Sequence, residues 1–192
     1  YQELGSTMDE AARLAQEKTG EGPGVGTIEG TVVVAETQTQ GRGRLGRNWV
    51  SPQGNIYLSV VFRPTMENLP FLSLLAGVAA VQTIGKITGL QARIKWPNDV
   101  MVGGLKAAGI LVESVIEGDE LCYAVLGIGL NVDLEPSAHP ELDERATSLL
   151  EASGCRYPLT TVASALFTRL EEAIAEMARG SELVDRWRKA LD

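Results

Sequence analysis

Residues 41–46 read GRGRLG, which fits Gly-x-Gly-x-x-Gly, the phosphate-binding turn of doubly wound dinucleotide folds. That turn needs its last glycine to open a helix, so that a pyrophosphate meets the free N–H groups at the helix start. Gly46 leads instead into RNWVSPQGN (47–55), where Pro52 and its turn-forming neighbours break any helix. The acidic residue expected about 20 positions on, to bind a ribose, is also absent, because that region reads Val61-Phe62-Arg63-Pro64. The stretch is therefore not a Rossmann turn. Arg42, Arg44 and Arg47 give it fork-shaped donors suited to phosphate and carboxylate. Gly41, Gly43 and Gly46 let the backbone approach a ligand closely or take positive φ. A cationic loop that is mobile until it closes over an anion is the expectation. The alternative, an arginine-glycine segment binding RNA, is disfavoured by the flanks. TVVVAET (31–37) and NIYLSVVFR (55–63) are β-branched, strand-like and apolar, so they anchor the loop in a folded core.

Further out, Thr7-Met8-Asp9-Glu10 has the capping-box form, which predicts a helix from Ser6 or Thr7 through AARLAQEK to about Gly20. The glycine-rich GEGPGVGTIEG (20–30) then reads as loop. Leu69 to Thr88 is a helix-length apolar stretch closed by Gly89. QARIKW (91–96) reads as a short strand, and PNDVMVGG (97–104) as a turn into an extended segment. GILVESVIEG (109–118) and ELCYAVLGIGLNV (120–132) read as strands joined by a hairpin at Glu117-Gly118-Asp119-Glu120. DERATSLLEAS (143–153), TTVASALFTRLEEAIAEMA (160–178) and SELVDRWRKAL (181–191) read as helices. Strands and helices do not alternate strictly, so the fold class is α+β, a mixed β-sheet flanked by helices. Residues 1–192 are expected to form a single domain.

Composition narrows the function. Hydrophobic residues make up 44% and charged residues 22%, with no run near the roughly 20 apolar residues of a membrane span. The first residues lack a secretory pattern, so a cytoplasmic protein is the default. A net charge of −8 opposes binding to nucleic acid or anionic lipid. Against that background the three arginines between 42 and 47 suit a small anion better than a long polyanion. Cys122 and Cys155 show no metal-ligand spacing and the single His139 lies in a loop-like SAHPEL, so no metal-binding set is expected. Three polar clusters stand at strand ends: Lys95-Trp96-Pro97-Asn98-Asp99, Lys106 before AAGILVES, and Asn131 closing GIGLN.

In this order and at these separations, ETQTQGRGRLGRNWVSPQGNIYLSV, KWPNDV, GGLKAAGILVES and GIGLNV resemble the catalytic domain of bacterial biotin protein ligases, from about Ser6 to Trp187. GRGRxGR followed by Trp and SPxGN marks the biotin branch, whereas lipoyl ligases of the same fold lack this loop. The resemblance implies the fold shared with class II aminoacyl-tRNA synthetases, and a two-step reaction. Biotin and MgATP would give biotinyl-5′-adenylate and pyrophosphate, and the biotinyl group would pass to a lysine of a biotin carboxyl carrier protein. By that resemblance Lys106 and Arg44 are catalytic, bridging the biotin carboxylate and the α-phosphate. Ser6, Thr7 and Gln38 would bind the ureido ring; Gly41, Arg42 and Gly43 would form the covering loop; Gly109 and Ile110 would line the pocket. Arg47, Trp49, Lys95, Asn98 and Asn131 would serve ATP and its Mg2+. Met8 stands where the family usually has Asn, which removes a side-chain contact to the ring. The expected partners are biotin, ATP and the carrier, without membrane or nucleic acid, and a homodimer is left open. The family's usual small carboxyl-terminal β-barrel and amino-terminal DNA-binding domain are expected to be absent. A lipoate or octanoate ligase or transferase of the same fold is the alternative.

Overall fold

A computed structural model describes residues 1–17, 29–140, 142, 146–179 and 182–192. The predicted helix end near Gly20, the first glycine-rich loop up to residue 28 and the start of the 143–153 stretch lie outside these residues.

The centre is a six-stranded sheet. Its strands are β2 (Val32–Ala35), β4 (Ile56–Phe62), β5 (Ala92–Lys95), β6 (Asp99–Val102), β7 (Leu105–Glu117) and β8 (Glu120–Leu130), in the order β2-β4-β8-β7-β6-β5. Every pairing within it is antiparallel. The parallel component is confined to a two-stranded ribbon, β1 (Glu3–Leu4) with β3 (Thr37–Gln38), and to isolated bridges. The α+β class thus holds, with Gly118 at φ 60 in the predicted β7–β8 hairpin.

Strand alternation sorts side chains between two faces. Ile56, Leu58, Val60 and Phe62 of β4 and Ala124, Leu126, Ile128 and Leu130 of β8 join a large core. That core is covered by α2 (Phe71–Thr88), α4 (Leu159–Arg179) and α5 (Glu182–Ala190). Helix α2 is long and apolar enough to cross a membrane by composition, but it is the central core helix: Leu72, Leu75, Ala76 and Ile84 are fully buried between the sheet and α4. It ends where predicted, with Gly89 left-handed at φ 73. Among the described residues the helix on the opposite face is α1 (Thr7–Glu17), whose Met8, Ala11 and Ala15 pack on Val33, Val61, Tyr123 and Val125.

Two local expectations need correction. The capping box at the start of α1 does not form: Ser6 Oγ accepts the Met8 N–H at 3.2 Å, and the Glu10 carboxylate bonds Tyr1 and Arg13 instead. Within the described part of the helix expected over 143–153, the helix is α3, Leu149–Ser153, capped by Ser148 Oγ on the Glu151 N–H. Residues 146 and 147 lie alongside β7 instead, where the Thr147 N–H donates to the Lys106 carbonyl. A tertiary hydrogen bond there outweighs a modest helix propensity.

Candidate active site

The site lies on the lightly covered face, at the ends of β5 to β8. Residues directly opposed across a sheet face the same way. Lys95 faces Asp99, Asp99 faces Gly109, Gly109 faces Gly129, and Gly129 faces Tyr57. One row along, Leu111, Gly127 and Ser59 form a second line. The middle of this face therefore has a floor of glycine. The floor is used: a Cβ on Gly129 would lie 2.5 Å from Trp49 Cε2, and one on Gly109 2.6 Å from Trp49 Cζ3. A Cβ on Gly127 would meet Met8 Sδ at 2.5 Å. Trp49 thus lies flat on the Gly109–Gly129 pair, and Met8 fills the next row.

Lys106 reaches this face through a defect in β7. Lys106 and Gly109 are three residues apart and would face opposite sides of a regular strand. Ladder pairing jumps from Met101–Lys106 to Val100–Ala108, leaving Ala107 as a bulged extra residue. Ala107 and Ala108 both enter the core, while Lys106 and Gly109 both meet Trp49. Bulges re-aim side chains in this way and occur beside functional sites. The Lys106 ammonium lies 5.1 Å from the Trp49 ring centroid and 3.0 Å from Asp99 Oδ1, an ion pair with both side chains mostly buried. Asn131 acts from below: its buried amide donates to the carbonyls of Lys106 and Thr147, and its N–H to that of Ala107.

The arginine loop is a closed hairpin between β3 and β4. Trp49 N–H donates to Gly41 O and Gly43 N–H to Arg47 O, both at 2.8 Å, and Arg42 pairs with Asn48. A tight turn, Arg44–Gly46, carries the tip, with Leu45 at φ 58 and Gly46 at φ 73. Gly41 is obligatory by packing, because a Cβ there would collide with the Trp49 carbonyl. Arg44 Nη1 donates to Asn98 Oδ1 at 3.2 Å, and Asn98 Nδ2 to Ile110 O at 3.1 Å. Arg44, Asn98, Asp99 and Lys106 are thereby linked at one end of β6. Arg42 turns the other way, to Asp9 of α1 and Glu113 of β7 at 2.9 and 2.8 Å. Arg47 is exposed.

At the start of α1 the polar residues interlock. The Thr7 N–H and hydroxyl both donate to Gln38 Oε1, at 2.8 and 3.1 Å, and Ser59 Oγ donates to Thr7 Oγ1 at 2.9 Å. Ser6, Thr7 and Ser59 are buried. Ser6, Thr7, Gln38, Gly41, Gly43, Arg44, Trp49, Asn98, Lys106 and Gly109 are thus gathered on one side of the sheet, around the Trp49 ring and the start of α1, hereafter the cleft. Lys95 is exposed at its rim. Ile110 needs correction: its side chain is buried in the core beneath α2 and cannot line the cleft, so only its backbone, bonded to Asn98, faces this way. Asp99, Ser51, Ser59, Gly127 and Gly129 belong to the site as well. The Gly-x-Gly spacing in GIGLN signals a Cβ-free strand face, but the hydroxyls carry no sequence signature. Cavities of about 310 and 380 Å3 lie elsewhere, beside α5 and beside α3; in the cleft itself, Trp49 and Met8 cover the floor.

An antiparallel sheet with a polar, glycine-floored face, covered by a cationic hairpin and flanked by a lysine, defines the class: an α+β domain with its cations gathered on one face of the sheet. The model of the biotin/lipoate A/B protein ligase family matches residues 26–131, and the chain belongs to that family. A bifunctional ligase/repressor BirA of Bacillus subtilis is 47% identical over 130 residues, covering 66% of this chain and 40% of the relative. A biotin–[acetyl-CoA-carboxylase] ligase of Mycobacterium tuberculosis is 38% identical over 156 residues, covering 78% and 56%. The chain thus spans about half the length of these curated relatives. The biotin protein ligase of Aquifex aeolicus, solved with biotin and ATP, superposes with a TM-score of 0.78 at 30% identity, covering 99% of this chain and 76% of that one. The Leishmania major enzyme in complex with biotinyl-5-AMP gives 0.77 at 26% identity, covering 100% and 79%.

Proposed function

We propose that this chain activates biotin with ATP to biotinyl-5′-adenylate and pyrophosphate, and then transfers the biotinyl group to a lysine of a biotin carboxyl carrier protein. The observation that carries this reading is the convergence of Arg44 and Lys106 on the Asn98–Asp99 turn beside the polar pocket at the start of α1. A carboxylate is a poor nucleophile, and its attack on the α-phosphate concentrates negative charge that fixed cations stabilise. Lys106, desolvated and held by a bulge, lies where it can exchange Asp99 for the reacting oxygens; Arg44 approaches from the flap. Arg47 and Lys95 add positive charge for the remaining phosphates, whereas Arg42, held by Asp9 and Glu113, would serve only after exchanging those carboxylates. Asn131 contributes by holding the backbone of Lys106.

The pocket's spare hydrogen-bonding capacity supports a ureido ring. Its carbonyl needs donors, which one Gln38 N–H and the Ser6 hydroxyl provide; its N–H groups need acceptors, for which Thr7 Oγ1 retains a lone pair. Met8, packed on Gly127, offers an apolar wall. Magnesium keeps most of its waters and needs only one or two carboxylates beside the phosphates. Asp99 fits that need, since its buried Oδ1 makes no aligned hydrogen bond despite the nearby ammonium; among the described residues no cluster of three or more His, Cys, Asp or Glu exists. The ion would neutralise phosphate charge. A cytoplasmic enzyme acting on the carrier follows from the same reading.

Titration calorimetry of biotin, with and without ATP, tests it, together with biotin-dependent pyrophosphate release. Heat and pyrophosphate release that require biotin and ignore lipoate are expected. Response to lipoate or octanoate alone would replace biotin by the acyl groups of the family's other branch.

A further inference from the structure

Beneath the flap a chain of side-chain hydrogen bonds runs from the sheet to the hairpin stem. Ser59 donates to Thr7 Oγ1, Thr7 to Gln38 Oε1, Gln38 Nε2 to Ser51 Oγ at 2.9 Å, and Ser51 Oγ to the Trp49 carbonyl at 2.9 Å. Its ends have fixed polarity. The Thr7 backbone N–H can only donate, so the Gln38 atom facing it is the amide oxygen; the Trp49 carbonyl can only accept, so the Ser51 hydroxyl points there and its lone pair takes the Gln38 N–H. Both ends impose the same amide orientation. Ser51 and Ser59 are buried, and the packing around Gly41, whose added Cβ would meet Ser51 Oγ and Gln38 Nε2 at 2.7 and 3.1 Å, leaves the amide little room to turn.

We propose that Ser51 is a positioning residue for the ring pocket: gripped by Thr7 at one end and Ser51 at the other, Gln38 presents one N–H, and never its oxygen, to the ligand. The side-chain bonds of Ser51 run to Gln38 and the Trp49 carbonyl, and through them it acts. Ser51 opens the SPxGN stretch of the family resemblance, but taken by itself in Ser51-Pro52-Gln53-Gly54 it reads only as a turn residue. The inference rests on the biotin reading of the cleft.

The test is a double-mutant cycle of Ser51→Ala and Gln38→Ala, read in KM for biotin, KM for ATP, kcat and melting temperature. Removing one hydrogen-bond partner from a partly buried amide such as that of Gln38 corresponds to about tenfold in affinity or less. Ser51→Ala is therefore expected to raise KM for biotin several-fold, up to about tenfold, with KM for ATP and kcat changed less than about twofold. The double variant is expected to be no worse than Gln38→Ala, because the two residues act as one unit. Gln38→Glu, which keeps the acceptor for Thr7 but has no N–H for Ser51, is expected to match Gln38→Ala in KM for biotin. Additive effects, an equal rise in KM for ATP, or a Ser51→Ala enzyme indistinguishable from the parent would each overturn the proposal. Should the parent protein not bind biotin at all, the functional reading fails. The same cycle in melting temperature then still decides whether the relay exists: non-additive losses uphold it and additive losses refute it.

Discussion

The two faces of the sheet are built from the same strands and obey opposite rules. On the face under α2, strands β4, β7 and β8 present Leu58, Val60, Ile110, Leu126 and Ile128, all buried in one cluster with Leu72, Leu75 and Leu166. On the other face the same strands present Ser59, Gly109, Gly127 and Gly129, covered by Met8 and Trp49 rather than by a full helical layer. The first face stabilises by burying apolar area. The second keeps a smaller apolar cluster under α1, but along the glycine rows it gives up side-chain burial, which keeps its backbone approachable and its polar groups together. The division of labour shows that stability and chemistry are separated by about the thickness of one strand, so changes one residue apart should have unrelated effects.

That separation can be broken most visibly at Lys106. On the proposed reading Lys106→Ala removes a cation from the developing charge and should cut biotin-dependent pyrophosphate release per folded molecule by about 10²–10³. Some fall in melting temperature is expected as well, because the mostly buried Asp99 carboxylate loses its ion-pair partner. Leu126→Ala, one residue from the glycine floor but on the other face, should cost about 2–5 kcal/mol of stability in denaturant unfolding while leaving activity per folded molecule near the parent's. If Leu126→Ala damaged turnover as severely as Lys106→Ala, the two faces would not be independent. Gly129→Ala sharpens the contrast: its methyl group would sit 2.5 Å from Trp49 Cε2 and Nε1. It should lift the ring and lower kcat/KM by about tenfold or more, visible also as a change in tryptophan fluorescence. The smallest effect belongs to the far edge of the lightly covered face. Bonds from Arg13 and then Tyr1 lower the Glu10 carboxyl from 4.5 to about 2. Its contribution is therefore present above about pH 4.5 and lost as the pH falls toward 2. Because the pair is near the surface, Glu10→Gln should cost only about 0.5 kcal/mol at neutral pH. The variant should also lose less stability than the parent between pH 4.5 and 2 in acid titration of unfolding.

Much of this was legible in residue order. The rejection of a Rossmann turn followed from Pro52 after Gly46, and the closed hairpin between β3 and β4 agrees with it. The predicted strands and the α2 and β7–β8 boundaries stand close to where they form, because apolar periodicity and glycine punctuation are local signals. The gathering of Lys106, Arg44, Gln38 and Thr7 was expected only through likeness to a family, since no single one of these residues differs in sequence from a surface lysine, arginine or turn residue.

Residue order by itself determined the elements, their apolar faces and the cationic, glycine-punctuated character of the flap. These depend on interactions within a few residues, or on a periodicity that any matching partner surface satisfies. Only the tertiary structure decided which face each functional group occupies. The Ala107 bulge puts Lys106 and Gly109 on one side despite their odd spacing, the core claims Ile110, and Ser51 and Ser59 join the ends of a relay to Thr7 and Gln38. Strand register and buried hydrogen-bond partners are set by segments tens of residues apart, and a one-residue shift in pairing reverses the face of every side chain beyond it.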